Sequence, residues 1–181
     1  MTDEALITQY LAGDEKSLEI LVQKYLRPVY SFVCRYGSID AEDVVQDTFV
    51  KVWKNLKKFK GENKFKPWLF AIAKNTALDY LKKKKEVPMS VLVNADEKID
   101  WLENVPDPAP LAMELLERAD LKEKLDAALN RLSPPYRLVM FLRYNDHFNF
   151  REIGEALGEP LDTIKSRHRR GLIMLKEILS T

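Results

Sequence analysis

Apolar side chains recur every three or four residues along most of this chain, the spacing that gives a helix one buried stripe. From Ser17 to Val33, the residues Leu18, Leu21, Val22, Tyr25, Leu26, Val29 and Phe32 share such a stripe, and Gly37 is read as its end. Asp40 is placed to cap the next helix, with Asp43 in its first turn, where carboxylates meet unpaired N–H groups and the positive end of the helix dipole. Val45, Phe49, Val52, Trp53 and Leu56 carry the second stripe, and the other side of that helix is acidic. Lys57 to Lys66 contains Gly61 and Asn63 without periodicity and reads as a loop. A third helix is predicted from near Pro67 to about Lys85. On it Leu69, Ile72, Ala73, Thr76 and Tyr80 can face a core, while Trp68, Asn75, Asp79 and Lys82 form a separate line. Three helices of this length close a small bundle.

The pattern fails between Glu86 and Pro110, where Pro88, Pro106, Pro108 and Pro110 interrupt it and five acids face only Lys98 in residues 87–109. Helical spacing then resumes over Leu111 to Leu132, Pro135 to about Tyr144, Phe150 to Leu157, and Leu161 to Leu179. No strand is needed. The expectation is an all-α chain of two small helical domains, residues 1–86 and 111–181, joined by an acidic flexible linker over 87–110. Within the second domain, Ile153 and Leu157 point inward, Gly154 permits close helix crossing, and Gly158 suits a left-handed turn before Pro160 opens a new helix. This is a helix-turn-helix pattern. Ile164, His168, Leu172, Leu175 and Leu179 would form the apolar back of its second helix, with His168 read as packing.

Composition narrows the function. The chain has 181 residues, 46% hydrophobic and 31% charged, enough for one or two small cores with a soluble surface. Its longest apolar run, Trp68 to Ala73, is far below the roughly 20 residues that cross a bilayer. The acidic start Met-Thr-Asp-Glu lacks a secretion signal, and a cytoplasmic location is expected. One cysteine, Cys34, and two isolated histidines, His147 and His168, offer neither a disulfide nor a metal cluster. With no phosphate-cradling glycine loop, nucleophile motif or general-base constellation, no enzyme, cofactor or metal is expected.

The formal net charge of +1 conceals a division. Residues 1–86 carry 16 Lys/Arg against 12 Asp/Glu, residues 87–131 carry 5 against 10, and residues 132–181 carry 8 against 6. In residues 51–85, 12 basic side chains face only Glu62 and Asp79. Such a concentration points to a polyanion, since lysines that neutralise phosphates release counterions. Trp68, Asn75 and Asp79 aligned with lysines could stack on an unpaired base and bond its edge. The plainer alternative is that Trp68 packs the bundle and the two polar residues are solvated. On the last helix, residues 163–176 hold five basic groups and no acid. An apolar back with Lys165, Ser166, Arg169 and Arg170 facing away, flanked by Thr163, suits a recognition helix in a major groove.

Three runs carry a resemblance: Asp43-Val-Val-Gln-Asp-Thr-Phe-Val-Lys-Val-Trp53, Phe65-Lys-Pro-Trp-Leu-Phe-Ala-Ile-Ala-Lys-Asn-Thr-Ala-Leu-Asp79, and Leu132-Ser-Pro-Pro-Tyr-Arg137 through Thr163-Ile-Lys-Ser-Arg167. In this order the chain resembles bacterial extracytoplasmic-function sigma factors of the two-domain type, with sigma regions two and four. The resemblance implies binding to RNA polymerase core, with Glu42, Asp43, Gln46 and Asp47 on the clamp helices and the second domain on the flap. It implies minus-10 recognition and melting by Lys57, Lys58, Lys60, Lys64, Trp68, Asn75, Asp79, Lys82 and Lys83. Minus-35 reading would fall to Thr163, Lys165, Ser166, Arg167, Arg169 and Arg170. The linker would thread toward the active site and RNA exit channel, and an anti-sigma factor would be a further partner of a protein monomeric outside the holoenzyme. Asp162, Gly154 and His168 depart from the family's usual glycine, alanine and aliphatic residue, and Lys82 to Lys85 stand where arginines are frequent. The other reading is a stand-alone helix-turn-helix regulator that binds duplex DNA without polymerase. It leaves the acidic face of the first domain without a task.

Overall fold

The computed structural model describes residues 1–36, 39–59, 64–86 and 124–179. Among these residues the regular structure is helical throughout. The first helix, α1 (Asp3–Leu11), is an addition to the three expected from periodicity. Thr2 caps it, and Leu6 and Ile7 are buried. Asp3 fastens it to the second helix, accepting from Lys24 Nζ at 2.6 Å and from Tyr25 Oη at 2.5 Å. Burial, followed by that bond to Asp3, pushes the Tyr25 phenol far above its usual range.

Helix α2 (Glu15–Cys34) begins at the Asp14 cap and buries Leu21, Tyr25, Val29 and Phe32 of the expected stripe together with Val33, while Leu18, Val22 and Leu26 are only half-buried. It stops at Cys34, and Gly37 lies outside the described residues. Helix α3 (Ala41–Asn55) begins as expected: Asp40 Oδ1 accepts from the backbone N–H of Glu42 at 3.1 Å and of Asp43 at 3.2 Å. A 3-10 turn, Leu56–Lys58, follows it. Helix α4 (Phe65–Glu86) starts two residues before Pro67, which falls in its first turn where a missing N–H costs nothing. Leu69, Ala73 and Thr76 are buried as expected, joined by Phe65, Phe70 and Ala77, whereas Ile72 and Tyr80 are only half-buried.

In the C-terminal part, residues 124–131 are helical (α5), and the rest of the segment expected from Leu111, like the linker 87–110, lies outside the described residues. Helices α6 (Pro134–Tyr144), α7 (Phe150–Leu157) and α8 (Leu161–Leu179) form the helix-turn-helix unit. Asn149 and Glu152 exchange hydrogen bonds as a capping box at the start of α7. Gly158 closes α7 in the left-handed conformation, φ 63° and ψ 39°, which a side chain would strain. Gly154 has a different reason from the helix crossing expected: a Cβ there would stand 2.8 Å from the backbone oxygen of Glu159 in the turn. On α8, Ile164, Gly171 and Leu175 are buried, but Leu172 and Leu179 are exposed, so the apolar stripe turns more narrowly inward than its spacing suggested.

The two helical units share an apolar core that runs from Leu6 to Ile164. Helix α4 lies against α7. The Phe70 ring meets Phe148 edge-on at 5.1 Å, and the Arg35 guanidinium covers Phe141 at 4.8 Å. Lys66 donates to the backbone carbonyl of Asp146 and sits 4.4 Å above the Phe148 ring. Lys74 donates to the Leu157 carbonyl, an unpaired acceptor at the negative end of α7 where a cation is favoured. Lys64 Nζ bonds Glu152 Oε1 at 2.6 Å. Burial pushes the Glu152 carboxyl up, but Lys64 and the Asn149 N–H outweigh it and hold the group below its ordinary range.

Candidate nucleic-acid interface

The exposed side of α3 is acidic in its first turns, while Val44, Val45 and Val52 are spent inward. Glu42, Asp43 and Gln46 are exposed. Asp47 is half-buried, accepting at 2.7 Å from the hydroxyl of Tyr80 on α4. That bond, with burial second, raises the Tyr80 phenol to about 12. Glu42 and Gln46 also rim a groove of about 650 Å³ between α2 and α3, floored by Val22, Leu26, Val45 and Phe49. Val50 and Trp53 at its edge are exposed, and Trp53 Nε1 donates to Tyr10 Oη of α1 at 2.7 Å. Sequence reasoning missed this apolar component; the signal was Leu18 to Phe32 and Val45 to Leu56 offering a stripe wider than one helix contact consumes.

On the basic side, Lys57 and Lys58 are exposed on the 3-10 turn, and Lys60 lies outside the described residues. Trp68 is half-buried in an aromatic cluster, 5.0 Å from the Phe59 ring and 5.7 Å from Phe65. Asn75, Asp79, Lys82 and Lys83 are exposed along α4. Asp79 has Lys51 at 3.8 Å, with both side chains about half exposed, a pairing worth little. Lys83 sits 5.9 Å over the Tyr80 ring. The aligned face therefore has an anchored indole at one end and exposed polar groups at the other. Lys66 and Lys74, on the same helix, are the members that sequence reasoning passed over. Burial lowers the affinity of Lys66 for its proton, against the pull of Asp146.

On α8, Lys165, Ser166, Arg169 and Arg170 are exposed and Thr163 is half-buried. Arg167 turns back instead: its Nη1 bonds Glu159 Oε1 at 2.7 Å across the helix-turn-helix turn. Thr163, Ser166, Arg167 and Arg170 line a polar recess with Pro135 and Tyr136. On the far side of the unit, exposed Leu125, Tyr144 and Leu172 border a groove of about 450 Å³ floored by Met140, Phe141 and Leu175. No described helix is long and apolar enough to cross a membrane.

A helical unit with a basic, aromatic-rich helix beside an acidic one, followed by a helix-turn-helix, is the two-part arrangement of a DNA-binding helical protein. The family model of Sigma-70 region 2 matches residues 21–87, and that of Sigma-70 region 4 matches residues 122–175. ECF RNA polymerase sigma-E factor of Escherichia coli strain K12 is 32% identical over 173 residues, spanning 92% of this chain and 88% of that protein. Its counterpart in Haemophilus influenzae is 30% identical over 179 residues, 97% and 94% of the two chains. The sigma factor RpoE of Bartonella quintana, solved with the anti-sigma factor NepR, superposes with a TM-score of 0.67 at 26% identity, over 92% of this chain and 98% of that one. CnrH, solved with the cytosolic domain of CnrY, gives a TM-score of 0.66 at 23% identity over 98% and 97%, a likeness of fold.

The chain belongs to the extracytoplasmic-function (ECF) sigma factors. It directs promoter-specific transcription, and nothing in these likenesses favours the stand-alone regulator.

Proposed function

We propose that this sigma factor divides its work among three surfaces. Glu42, Asp43 and Gln46, with the apolar groove that Glu42 and Gln46 border, dock on the clamp helices of core polymerase, and Asp47 orients that surface through Tyr80. The flap is met by the second domain. Lys57, Lys58, Lys60, Lys64, Lys82 and Lys83 hold phosphates around the minus-10 element, while Asn75 and Asp79 bond an extruded base beside the rim of Trp68. Thr163, Lys165, Ser166, Arg169 and Arg170 read the minus-35 duplex, and Arg167 braces the turn while remaining able to reach a phosphate. The functional division is residues 1–86, an acidic linker 87–110, and residues 111–181. An anti-sigma factor, as in the complex of the Bartonella relative, is the regulatory partner. The protein is monomeric outside the holoenzyme, acts in the cytoplasm and catalyses no reaction of its own.

One observation carries this reading: Lys165, Ser166, Arg169 and Arg170 stand exposed on α8, the helix that follows an α7 opened by a capping box and closed by a left-handed glycine. Removing a base contact there costs discrimination, whereas removing a phosphate contact weakens every site alike. Arg170→Ala should reduce the preference for the native minus-35 sequence by roughly 1 to 3 kcal/mol, while Lys83→Ala should lower all promoters equally. Equal loss on all sequences from both variants, measured with reconstituted holoenzyme, would remove α8 from base reading.

A further inference from the structure

Position 168 departs from the aliphatic residue usual in this family, and the structure gives the imidazole a specific setting. Its Nε2 lies 2.9 Å from Tyr144 Oη. The two rings stack at 5.7 Å with 28° between their planes. Phe150, the first residue of α7, meets the imidazole edge-on at 5.0 Å and 64°. The Arg143 guanidinium lies 4.9 Å from the Phe150 ring, and Arg143 Nη1 donates to the Phe148 carbonyl at 2.9 Å. One side chain of α8 is thus in contact with the last residue of α6 and the first residue of α7.

An aliphatic residue at this position could pack, but packing alone lets a helix roll by several degrees at small cost. A hydrogen bond with a narrow angular optimum, combined with two oriented ring contacts, restricts that roll. The direction of Lys165, Ser166 and Arg169, one turn or less from His168, depends on it, because a roll of α8 carries their long side chains across the width of a base edge. Bidentate contacts tolerate little displacement.

We propose that His168 is a positioning residue for promoter reading: clasped by Tyr144 and Phe150, it sets the rotation of α8 about its own axis and so aims Lys165, Ser166 and Arg169 at the duplex. This rests on the reading of α8 as the minus-35 helix. Either tautomer of the neutral ring satisfies the Tyr144 bond, the hydroxyl donating to an unprotonated Nε2 or accepting from a protonated one. A second proton is unwelcome. Burial, then the nearby Arg143 charge, lowers the proton affinity of the ring below the ordinary histidine range. Around it α6 contributes Arg143 and Tyr144 and α7 contributes the uncharged Phe150, so protonation sets the imidazolium against Arg143 and loosens the clasp.

The test compares holoenzymes carrying the parent protein, His168→Gln, His168→Leu and Tyr144→Phe on promoters with native and scrambled minus-35 elements. His168→Leu and Tyr144→Phe should lower the native-to-scrambled affinity ratio at pH 7.5 by roughly fivefold, the low end of losing one base contact. His168→Gln, which keeps a hydrogen-bonding group, should restore most of it. As pH falls from 7.5 to 5.5 the parent ratio should drop, whereas that of His168→Gln should stay flatter; Asp146 titrates in both proteins and cancels. Full discrimination by His168→Leu, or identical pH profiles for parent and His168→Gln, would overturn the proposal. Arg169→Ala and Lys165→Ala separate the two failures: if neither changes the ratio, α8 does not read the minus-35 element at all.

Discussion

Across the seam between α4 and α7, Phe70 and Phe148 offer a measurable coupling between two units that the sequence presents as separate. Both rings are essentially unexposed, at 0% and 1%, and their centroids are 5.1 Å apart at 67°. Truncation to alanine would remove about 3 to 5 kcal/mol at either site, enough to unfold a domain of ordinary stability and spoil the comparison. Leucine is the better replacement. It keeps an apolar side chain and removes the edge-to-face geometry, and each single change should cost about 1 to 2 kcal/mol. The part belonging to the pair is about 0.5 to 1.5 kcal/mol, above the roughly 0.3 to 0.5 kcal/mol within which independent sites add. Urea unfolding of the parent, Phe70→Leu, Phe148→Leu and the double variant, followed by tryptophan fluorescence and far-ultraviolet circular dichroism, gives the cycle. The double variant should be destabilised by less than the sum of the singles, and the two probes should coincide. Additivity within 0.3 kcal/mol, with separate transitions for the two units, would refute the shared core.

Three further outcomes follow from individual residues. His147 has φ 55°, so His147→Gly should leave the melting temperature unchanged or raise it, by up to about 1 kcal/mol of stability once the greater freedom of unfolded glycine is deducted; a clear fall in calorimetry would show that the imidazole makes a contact worth more than the strain. Burial raises Asp146 to about 6, outweighing Lys66 and Asn145, and its Oδ2 has no hydrogen-bond partner. Its folded value lies above the unfolded one, so ionisation costs stability as pH rises from about 4 to 6. Asp146→Asn should therefore stabilise the protein by about 1 to 3 kcal/mol at pH 7.5 and by nothing near pH 4, and an equal effect at both values would contradict this. Asp43→Arg should weaken core-polymerase capture in a pull-down while changing stability by no more than about 0.5 kcal/mol, since the residue is exposed; undiminished capture would place the docking surface elsewhere.

What was legible in the sequence was whatever depends on spacing within one element. The stripes of α2, α3 and α4, the Asp40 cap and the left-handed Gly158 are local facts, and the residues that carry them are enough to infer them. Helix α1 escaped notice because nine residues make too short a stripe and its anchor, Asp3, acts on Lys24 and Tyr25, far along the chain. The seam escaped for another reason. The spacing puts Lys66 at the end of a loop and assigns Lys74 to no face, and their acceptors are the backbone carbonyls of Asp146 and Leu157, which have no residue-specific signature. Trp68 shows the limit of face assignment: the angular projection sets it apart from the core face, yet the loop residue Phe59 and the helix start Phe65 half cover the indole and pack it against the core.

The lysines along the seam also enter an equilibrium. On the proposed reading Lys64 exchanges Glu152 for a phosphate, which would make the arrangement described here and a promoter-bound one distinct states of one chain. Apparent affinity is the intrinsic affinity multiplied by the fraction of molecules with the seam parted, and each 1.4 kcal/mol favouring the closed seam lowers it about tenfold. A promoter is read through two equilibria in series. A change confined to Glu152 or Phe148 would then shift apparent affinity for all promoters by one common factor and leave their ranking untouched.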